Sequence, residues 1–335
     1  MNKEEETTML KAMMRGAGLA VLSAATGLVM MTAAEAGQMR LGMTTWVGYG
    51  PMFLARDKGF FKEGGLDIDL HIIEDASLYM AAVAAGELDG NASTIDEIMK
   101  YRSPDFCFKA VFALDDSHGG DGVLVHDEVN SLKDLKGQQV GMNEGSVSQF
   151  WFNILLTREG MTEKDLQITN MTADDAAAAF IAGQIPAAVT WEPHLTLVRT
   201  KKQGKVLIDS SQTPGLIVDV VSLTCDYIQK NPKDVEAFVN GVYKAVEFIK
   251  TNPDEAYAIM AKGVGGYLEK PEDFAEAAKG VRFYDKPRNI EFFGTPDKGE
   301  AKDLMELGNK IWGGFQKMKM TIGYADLIDT SFLDK

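Results

Sequence analysis

Two stretches of the chain repeat the same order of elements, and this repeat limits the fold more than any other feature. In residues 79–94 an Ala-rich helical stretch leads through Ala-Gly to a short apolar strand that ends at Ser-Thr. Residues 176–191 follow the same order and end at Thr-Trp. Gly86 corresponds to Gly183, a period of roughly 97 residues. The repeat predicts two similar lobes, and two facing lobes form a cleft suited to a small ligand.

Short strands and helices alternate around the repeated segments. Residues 39–44 and 66–73 have the pattern of strands, whereas residues 52–58 and 77–85 have that of helices. This alternation is typical of βαβ units, so we expect an α/β fold with a parallel sheet in each lobe. Ligand sites of such sheets lie beyond the carboxyl ends of the strands.

The first 36 residues have the features of an export signal. Lys3, Lys11 and Arg15 precede an apolar run over residues 17–33, and Ala-Glu-Ala at 34–36 is a cleavage signature. No later stretch reaches the ~20 apolar residues that a membrane span requires. We therefore expect a signal peptide at 1–36 and a mature protein in the periplasm.

Charge and motifs exclude several classes of function. The net charge of -15 argues against binding of nucleic acid, because there is no basic excess to neutralise phosphates. The chain has no Gly-x-Ser-x-Gly, Walker or His-Glu-x-x-His motif, and its four histidines lack ligand-like spacing. We expect no catalytic residues, metal or cofactor. Cys107 and Cys225 could form a disulfide or remain two isolated buried thiols.

A candidate anion site lies at the start of a predicted helix. A strand at 139–142 is followed by Asn-Glu-Gly, and Ser146 then caps a helix that continues to residue 158. The first amides of a helix have no intrahelical partner, and the helix dipole favours negative charge there. Ser146, Ser148 and Gln149 add side-chain donors, so a small anionic group could bind here. The alternative is an ordinary capped helix.

Side chains of other loops complete the predicted site. Two aromatic residues in the Gly-rich loop at 45–51 could stack on a ligand. Asp219 interrupts an apolar strand and requires a partner, either a ligand amine or a structural group near the hinge. The candidate ligand-binding residues are Trp46, Tyr49, Ser93, Thr94, Asp116, Glu144, Ser146, Ser148, Gln149, Trp191, Glu192 and Asp219.

Four short motifs, in this order, resemble a known family. They are Trp-Val-Gly-Tyr-Gly-Pro at 46–51 with Gly-Phe-Phe-Lys-Glu-Gly-Gly-Leu at 59–66, Glu-Gly-Ser-Val-Ser at 144–148, Ala-Val-Thr-Trp-Glu-Pro at 188–193, and Ile-Val-Asp-Val at 217–220. They are similar to motifs of the periplasmic solute-binding proteins for taurine, aliphatic sulfonates, nitrate and thiamine-pyrimidine precursors. The resemblance spans about residues 41–248.

The resemblance implies a two-lobed periplasmic-binding fold of the second topological type. The chain would cross between the lobes near residues 122–125 and 221–224. Lobe 1 would comprise residues 37–124 and 222–335, including a helical C-terminal part, and lobe 2 residues 125–221. The implied partners are a small-molecule ligand and the permease of an ABC importer, and we expect a monomer.

The charges of the candidate residues favour a zwitterionic ligand. The helix start suits an anionic group, whereas Glu144, Glu192, Asp219 and Asp116 have no nearby Lys or Arg in these loops and suit an amine. Taurine is the first expectation. The alternatives are a cationic amine such as a thiamine-pyrimidine precursor, an enzyme of thiamine-precursor synthesis on the same fold, and a sensor subunit. The Cys-rich run of the enzymatic relatives is missing.

The export signal gives a direct prediction. Protein recovered from the periplasm should begin at Gly37, because cleavage follows the Ala-Glu-Ala signature. N-terminal sequencing of the purified protein checks this, and retention of residues 1–36 in a membrane fraction would contradict it.

Overall fold

Two β-sheets, each covered by helices, organise the chain. The computed structural model describes residues 36–335, so the predicted signal peptide lies outside them except for its last residue. The strands are β1 (Gly37–Met43), β2 (Leu66–Ile72), β3 (Gly90–Thr94), β4 (Phe108–Ser117), β5 (Asp121–Val125), β6 (Gln139–Met142), β7 (Gln167–Asn170), β8 (Ala187–Trp191), β9 (Lys205–Asp209), β10 (Val218–Thr224) and β11 (Val281–Phe283).

Helices lie between most of these strands and form the C-terminal part. They are α1 (Gly50–Asp57), α2 (Phe60–Glu63), α3 (Ala76–Ala85), α4 (Ile95–Met99), α5 (Val147–Arg158), α6 (Ala173–Ile181), α7 (His194–Lys201), α8 (Cys225–Lys230), α9 (Pro232–Thr251), α10 (Pro253–Val264), α11 (Pro271–Ala277), α12 (Lys286–Phe293), α13 (Glu300–Gly314) and α14 (Tyr324–Leu327). Among the described residues, no helix is both long and apolar enough to span a membrane.

The two sheets are mixed rather than parallel. The larger has the order β11-β4-β10-β3-β1-β2 and the smaller β7-β6-β8-β5-β9. The pairs β1–β2, β1–β3, β6–β7 and β6–β8 are parallel, as predicted, whereas β4, β5, β9, β10 and β11 pair antiparallel. In the repeated segments, the parallel strands are thus connected through helices, as in βαβ units. β5 and β10, the first strands after the two changes of sheet, pair antiparallel with both of their neighbours.

The repeat predicted from the sequence is present in both sheets. α3 and α6 precede the short strands β3 and β8, and each of these strands lies beside the strand that opens its lobe. Gly86 and Gly183 follow the two helices with φ of 76° and 70°, a left-handed conformation that glycine adopts without strain. The α/β fold with two lobes is therefore confirmed.

The chain changes sheets at two neighbouring places. The first connection comprises residues 118–120, between β4 and β5, and the second residues 210–217, between β9 and β10. Both lie slightly before the expected crossings near 122–125 and 221–224, because β5 belongs wholly to the smaller sheet and β10 to the larger. The Ser210 hydroxyl joins them: it accepts from the Gly119 amide at 2.7 Å and contacts the Ser117 hydroxyl at 2.7 Å.

The C-terminal helices complete the core of the larger lobe, as expected. α9 contributes Phe238, whose ring stacks on Phe61 at 5.5 Å. α13 also reaches the smaller lobe, since the ring of Trp312 stacks on Phe150 at 5.9 Å. The C-terminal part therefore holds lobe 1 together and contacts the start of α5 in lobe 2.

Cys107 and Cys225 form a disulfide, which decides between the two alternatives left open by the sequence. It joins the residue before β4 to the first residue of α8, with a Cα–Cα distance of 5.5 Å and a sequence separation of 118 residues. A bridge that closes so long a loop constrains the unfolded chain strongly.

Removal of this bridge should destabilise the protein. Replacing both cysteines (Cys107→Ser with Cys225→Ser) should lower the free energy of unfolding by about 2–4 kcal/mol, because the unfolded chain regains the freedom of a long loop. Chemical denaturation of parent and variant checks this, with the parent in reducing agent as a matched control. Equal unfolding midpoints would contradict it.

Candidate functional site

A cavity lies between the two lobes where the sheet edges face each other. Its volume is about 30 Å³ in this closed arrangement of the lobes. Its lining residues are Thr44, Trp46, Tyr49, Ser93, Thr94, Glu97, Asp121, Val147, Trp191, Ile217 and Asp219. Six of the twelve predicted site residues are among them: Trp46, Tyr49, Ser93, Thr94, Trp191 and Asp219.

The topology explains why these residues meet. β1, β3 and β8 end at the cleft, so the side chains after or at their carboxyl ends face it. β10 and β5 run antiparallel to β3 and β8, and their first residues therefore lie at the same edge. In this way Asp219 lies beside Thr94, and Asp121 beside Trp191.

The wall formed by lobe 1 combines aromatic rings with carboxyl groups. The Trp46 indole donates to Asp115 at 3.1 Å, and the Tyr49 hydroxyl donates to Asp219 at 2.6 Å. Both aromatic residues flank Gly48, where a Cβ would overlap the Asp115 carboxylate. Glycine at this position lets the aromatic loop lie directly on the two carboxyl groups.

The wall formed by lobe 2 contains Asp121, Val147 and Trp191. The Trp191 indole donates to the backbone oxygen of Thr45 at 3.2 Å and so reaches across the cleft to lobe 1. Trp191 therefore both lines the cavity and contacts the opposite lobe.

Burial keeps the cavity carboxyl groups from ionising easily. It is the main reason why the pKa of Asp115 and that of Asp219 lie well above the ordinary range, and the charge of Asp219 further raises that of Asp115. Burial also raises the pKa of Asp121 to about 7 and raises that of Glu97. Asp115 and Asp219 are partners on adjacent strands, where like charges repel. The cavity lining contains no Lys or Arg.

The predicted anion site at the start of α5 is occupied by the protein itself. Ser146 accepts from the Ser148 amide at 3.2 Å, and the Gln149 side-chain oxygen accepts from the Gly145 amide at 2.8 Å. The Val147 amide bonds to the Glu97 carboxylate of lobe 1, which counteracts the effect of burial on the pKa of Glu97. The Ser148 hydroxyl is buried without a hydrogen-bond partner. None of Ser146, Ser148 and Gln149 lines the cavity.

Three predicted carboxylates lie outside the cavity. Asp116 forms a bidentate ion pair with Arg282, and Glu192 accepts from Thr196 and Arg199 at 2.9–3.0 Å. Glu144 is exposed on the turn before α5. The prediction that Asp116 and Glu192 have no basic partner is therefore wrong. Their arginines lie outside the loops that contain the two carboxylates.

Sequence reasoning missed five lining residues, Thr44, Glu97, Asp121, Val147 and Ile217. Asp121 begins β5 and faces the cleft. Glu97 follows the cleft residues Ser93 and Thr94 by one helical turn, a spacing that could have indicated it. Within residues 36–335, no group of three His, Cys, Asp or Glu side chains is arranged to hold a metal ion.

Two lobes, two adjacent crossings and a cavity between them define a periplasmic-binding-protein fold. The family model described as NMT1/THI5 like matches residues 46–256, more than half of the chain, and the protein belongs to this family.

Similar proteins support the same class. The taurine-binding periplasmic protein of Escherichia coli (strain K12) is 24% identical over 229 residues, which cover 67% of each chain. The fold is similar to that of the periplasmic aliphatic sulphonate binding protein of Escherichia coli, with TM-score 0.71, 17% identity and coverage of 89% of this chain and 99% of that one. The alkanesulfonate-binding protein of Xanthomonas axonopodis pv. citri gives TM-score 0.72, 14% identity and coverage of 89% and 100%.

The buried Asp121 predicts a pH-dependent stability. Its folded-state pKa of about 7 lies above that of the unfolded chain, so stability falls as pH rises from about 4 to about 7. Asp121→Asn should therefore stabilise the unliganded protein by on the order of 1–3 kcal/mol above pH 7 and have little effect near pH 4. Thermal unfolding across this range checks it. A constant difference, or a destabilised variant at high pH, would contradict the prediction.

Proposed function

We propose that this protein is the solute-binding component of an ABC importer and captures a small molecule that carries a cationic nitrogen. The observation that carries the proposal is the cavity itself. Glu97, Asp121 and Asp219 line it, Asp115 lies directly behind Trp46, and no basic side chain is present in the lining. An ammonium group would supply the missing positive charge.

The aromatic side chains support the same ligand chemistry. Trp46, Tyr49 and Trp191 line the cavity beside the carboxyl groups. The faces of aromatic rings attract cations, most strongly where water is excluded. Carboxylates with aromatic rings form a recognition site for an ammonium group and give no favourable contact to a bare anion such as nitrate.

Binding would close the two lobes. The lining residues come from both sheets, so a ligand in the cavity contacts both at once and favours the closed arrangement. The crossings at 118–120 and 210–217 are where a hinge motion would occur. Release to a permease then requires only that the lobes separate again.

A taurine-like zwitterion is the second candidate, and the taurine-binding relative favours it. Its ammonium group would occupy the same acidic cavity. Its sulfonate requires another place than the start of α5, since Glu97 holds the Val147 amide there.

The proposal also covers the location of the protein, its oligomeric state and the absence of catalysis. The protein would act in the periplasm as a monomer and without catalysis. A binder of a thiamine-pyrimidine precursor is one form of the cationic ligand. An enzyme of thiamine-precursor synthesis would need the Cys-rich run, and the chain has only two cysteines.

Ligand affinity should rise with pH if the ligand is cationic. The free cavity holds protons on its carboxyl groups near neutral pH, and an ammonium group favours their ionised form. Calorimetry with ethylamine should show proton release near neutral pH and an affinity that rises with pH through the range around pH 7 in which Asp121 loses its proton. Ethanesulfonate should bind weakly at every pH.

Two variants distinguish binding at a specific site from a general effect of the protein's negative charge. Asp219→Asn should weaken amine binding by about tenfold or more at pH 8, because the ammonium loses an ionised partner while the partner of Tyr49 is kept. Asp254→Asn, which removes an exposed carboxylate in α10, is the matched control. Stronger binding of ethanesulfonate than of ethylamine, with no effect of Asp219→Asn, would refute the proposal.

A further inference from the structure

A second cavity adjoins the first and has a different charge. It opens to solvent between the lobes and has a volume of about 560 Å³. Three lysines from two segments line it, Lys100 before β4 and Lys317 with Lys319 after α13, together with the carboxylates of Asp75, Glu97 and Glu144. Glu97 lines both cavities and forms the boundary between them. We call this space the lysine cavity.

The lysines lack counter-charges. None of the ion pairs within residues 36–335 includes Lys100, Lys317 or Lys319. Their ammonium groups are therefore not held in close ion pairs and could contact a ligand.

Two of these ammonium groups converge on one point. A Cβ placed on Gly145 would lie 3.4 Å from the Nζ of Lys100 and 3.4 Å from that of Lys317. Burial lowers the pKa of Lys100, the charges of Glu97 and Asp96 raise it, and the charge of Lys317 lowers it. The ammonium of Lys100 lies 4.9 Å from the ring centre of Trp312, which fixes it in place. An anion at this point would relieve the repulsion between the two lysines.

The carboxylates in the lysine cavity do not neutralise this point. Asp75 caps α3 and accepts from the Ser77 amide at 2.8 Å, and Glu97 is bonded to the Val147 amide at the boundary with the acidic cavity. Glu144 is exposed at the rim. At Gly145 itself, the ammonium groups of Lys100 and Lys317 are the charged groups that a Cβ would contact.

We propose that the lysine cavity binds a small oxyanionic group, such as a sulfonate, carboxylate or sulfate. The group could be the far end of the ligand whose ammonium occupies the acidic cavity, a source that rests on the proposed function, or a separate anion. In either case it would join Lys100 of lobe 1 to Lys317, which already donates to Gln149 of lobe 2 at 3.2 Å.

The test compares ethylamine with taurine, which differ by the sulfonate. Lys317→Gln with Lys319→Gln removes two positive charges of the lysine cavity, and Lys164→Gln with Lys262→Gln removes the same charge at remote exposed sites. In the parent and control, taurine should bind about tenfold tighter than ethylamine. In the cavity variant the two affinities should become similar, with that for ethylamine unchanged.

Sulfate distinguishes the two sources. If the anion is separate, sulfate should raise the unfolding temperature of the parent and control above that in chloride at equal ionic strength, and the cavity variant should lose this effect. The sulfate arm needs no amine binding, so it still tests the lysine cavity if the proposed function fails. Identical behaviour of the cavity variant and its control with both taurine and sulfate would overturn the inference.

Discussion

The concentration of carboxyl groups in a closed cavity is the constraint on which the site depends. Removing an ionised carboxylate from water costs several kcal/mol unless a partner or a proton neutralises it. Asp115 and Asp219 have aromatic donors as partners, and these donors carry no positive charge. Without ligand, the closed lobes must therefore hold protons on these groups or open to water. A cationic ligand removes this cost, so the same charges that oppose closure in its absence favour closure around it.

Much of the fold follows from local sequence pattern. The glycines at 86 and 183, the short strands after them and the aromatic loop at 45–51 predict two lobes and place a cleft between them. The antiparallel strands were not predictable in this way, because β4, β5, β9 and β10 pair with segments far away in the sequence. These strands carry Asp115, Asp121 and Asp219, so the most acidic part of the site depended on pairing that no local pattern reveals.

Register decides between neighbouring residues. Successive side chains of a strand point to opposite faces, so Asp115 and Asp116 could not both face the aromatic loop. Asp115 meets Trp46, whereas Asp116 meets Arg282 on β11, more than 160 residues later. The start of α5 shows the same limit. The sequence predicts a place for an anionic group of a ligand there, and only the three-dimensional arrangement brings Glu97 of the opposite lobe to the same amides.

The disulfide has a consequence for when an exported chain of this protein can fold. It encloses most of lobe 2 and both crossings within one loop, because β5 to β10 lie between Cys107 and Cys225. Disulfides form in oxidising compartments and stay reduced in the cytoplasm. An exported chain would thus lack this cross-link before translocation. Its native state would be less stable at that stage, so the chain would more easily stay unfolded for passage through a secretion channel. Oxidation after translocation would then stabilise the folded state, and a folded chain would not return through the channel.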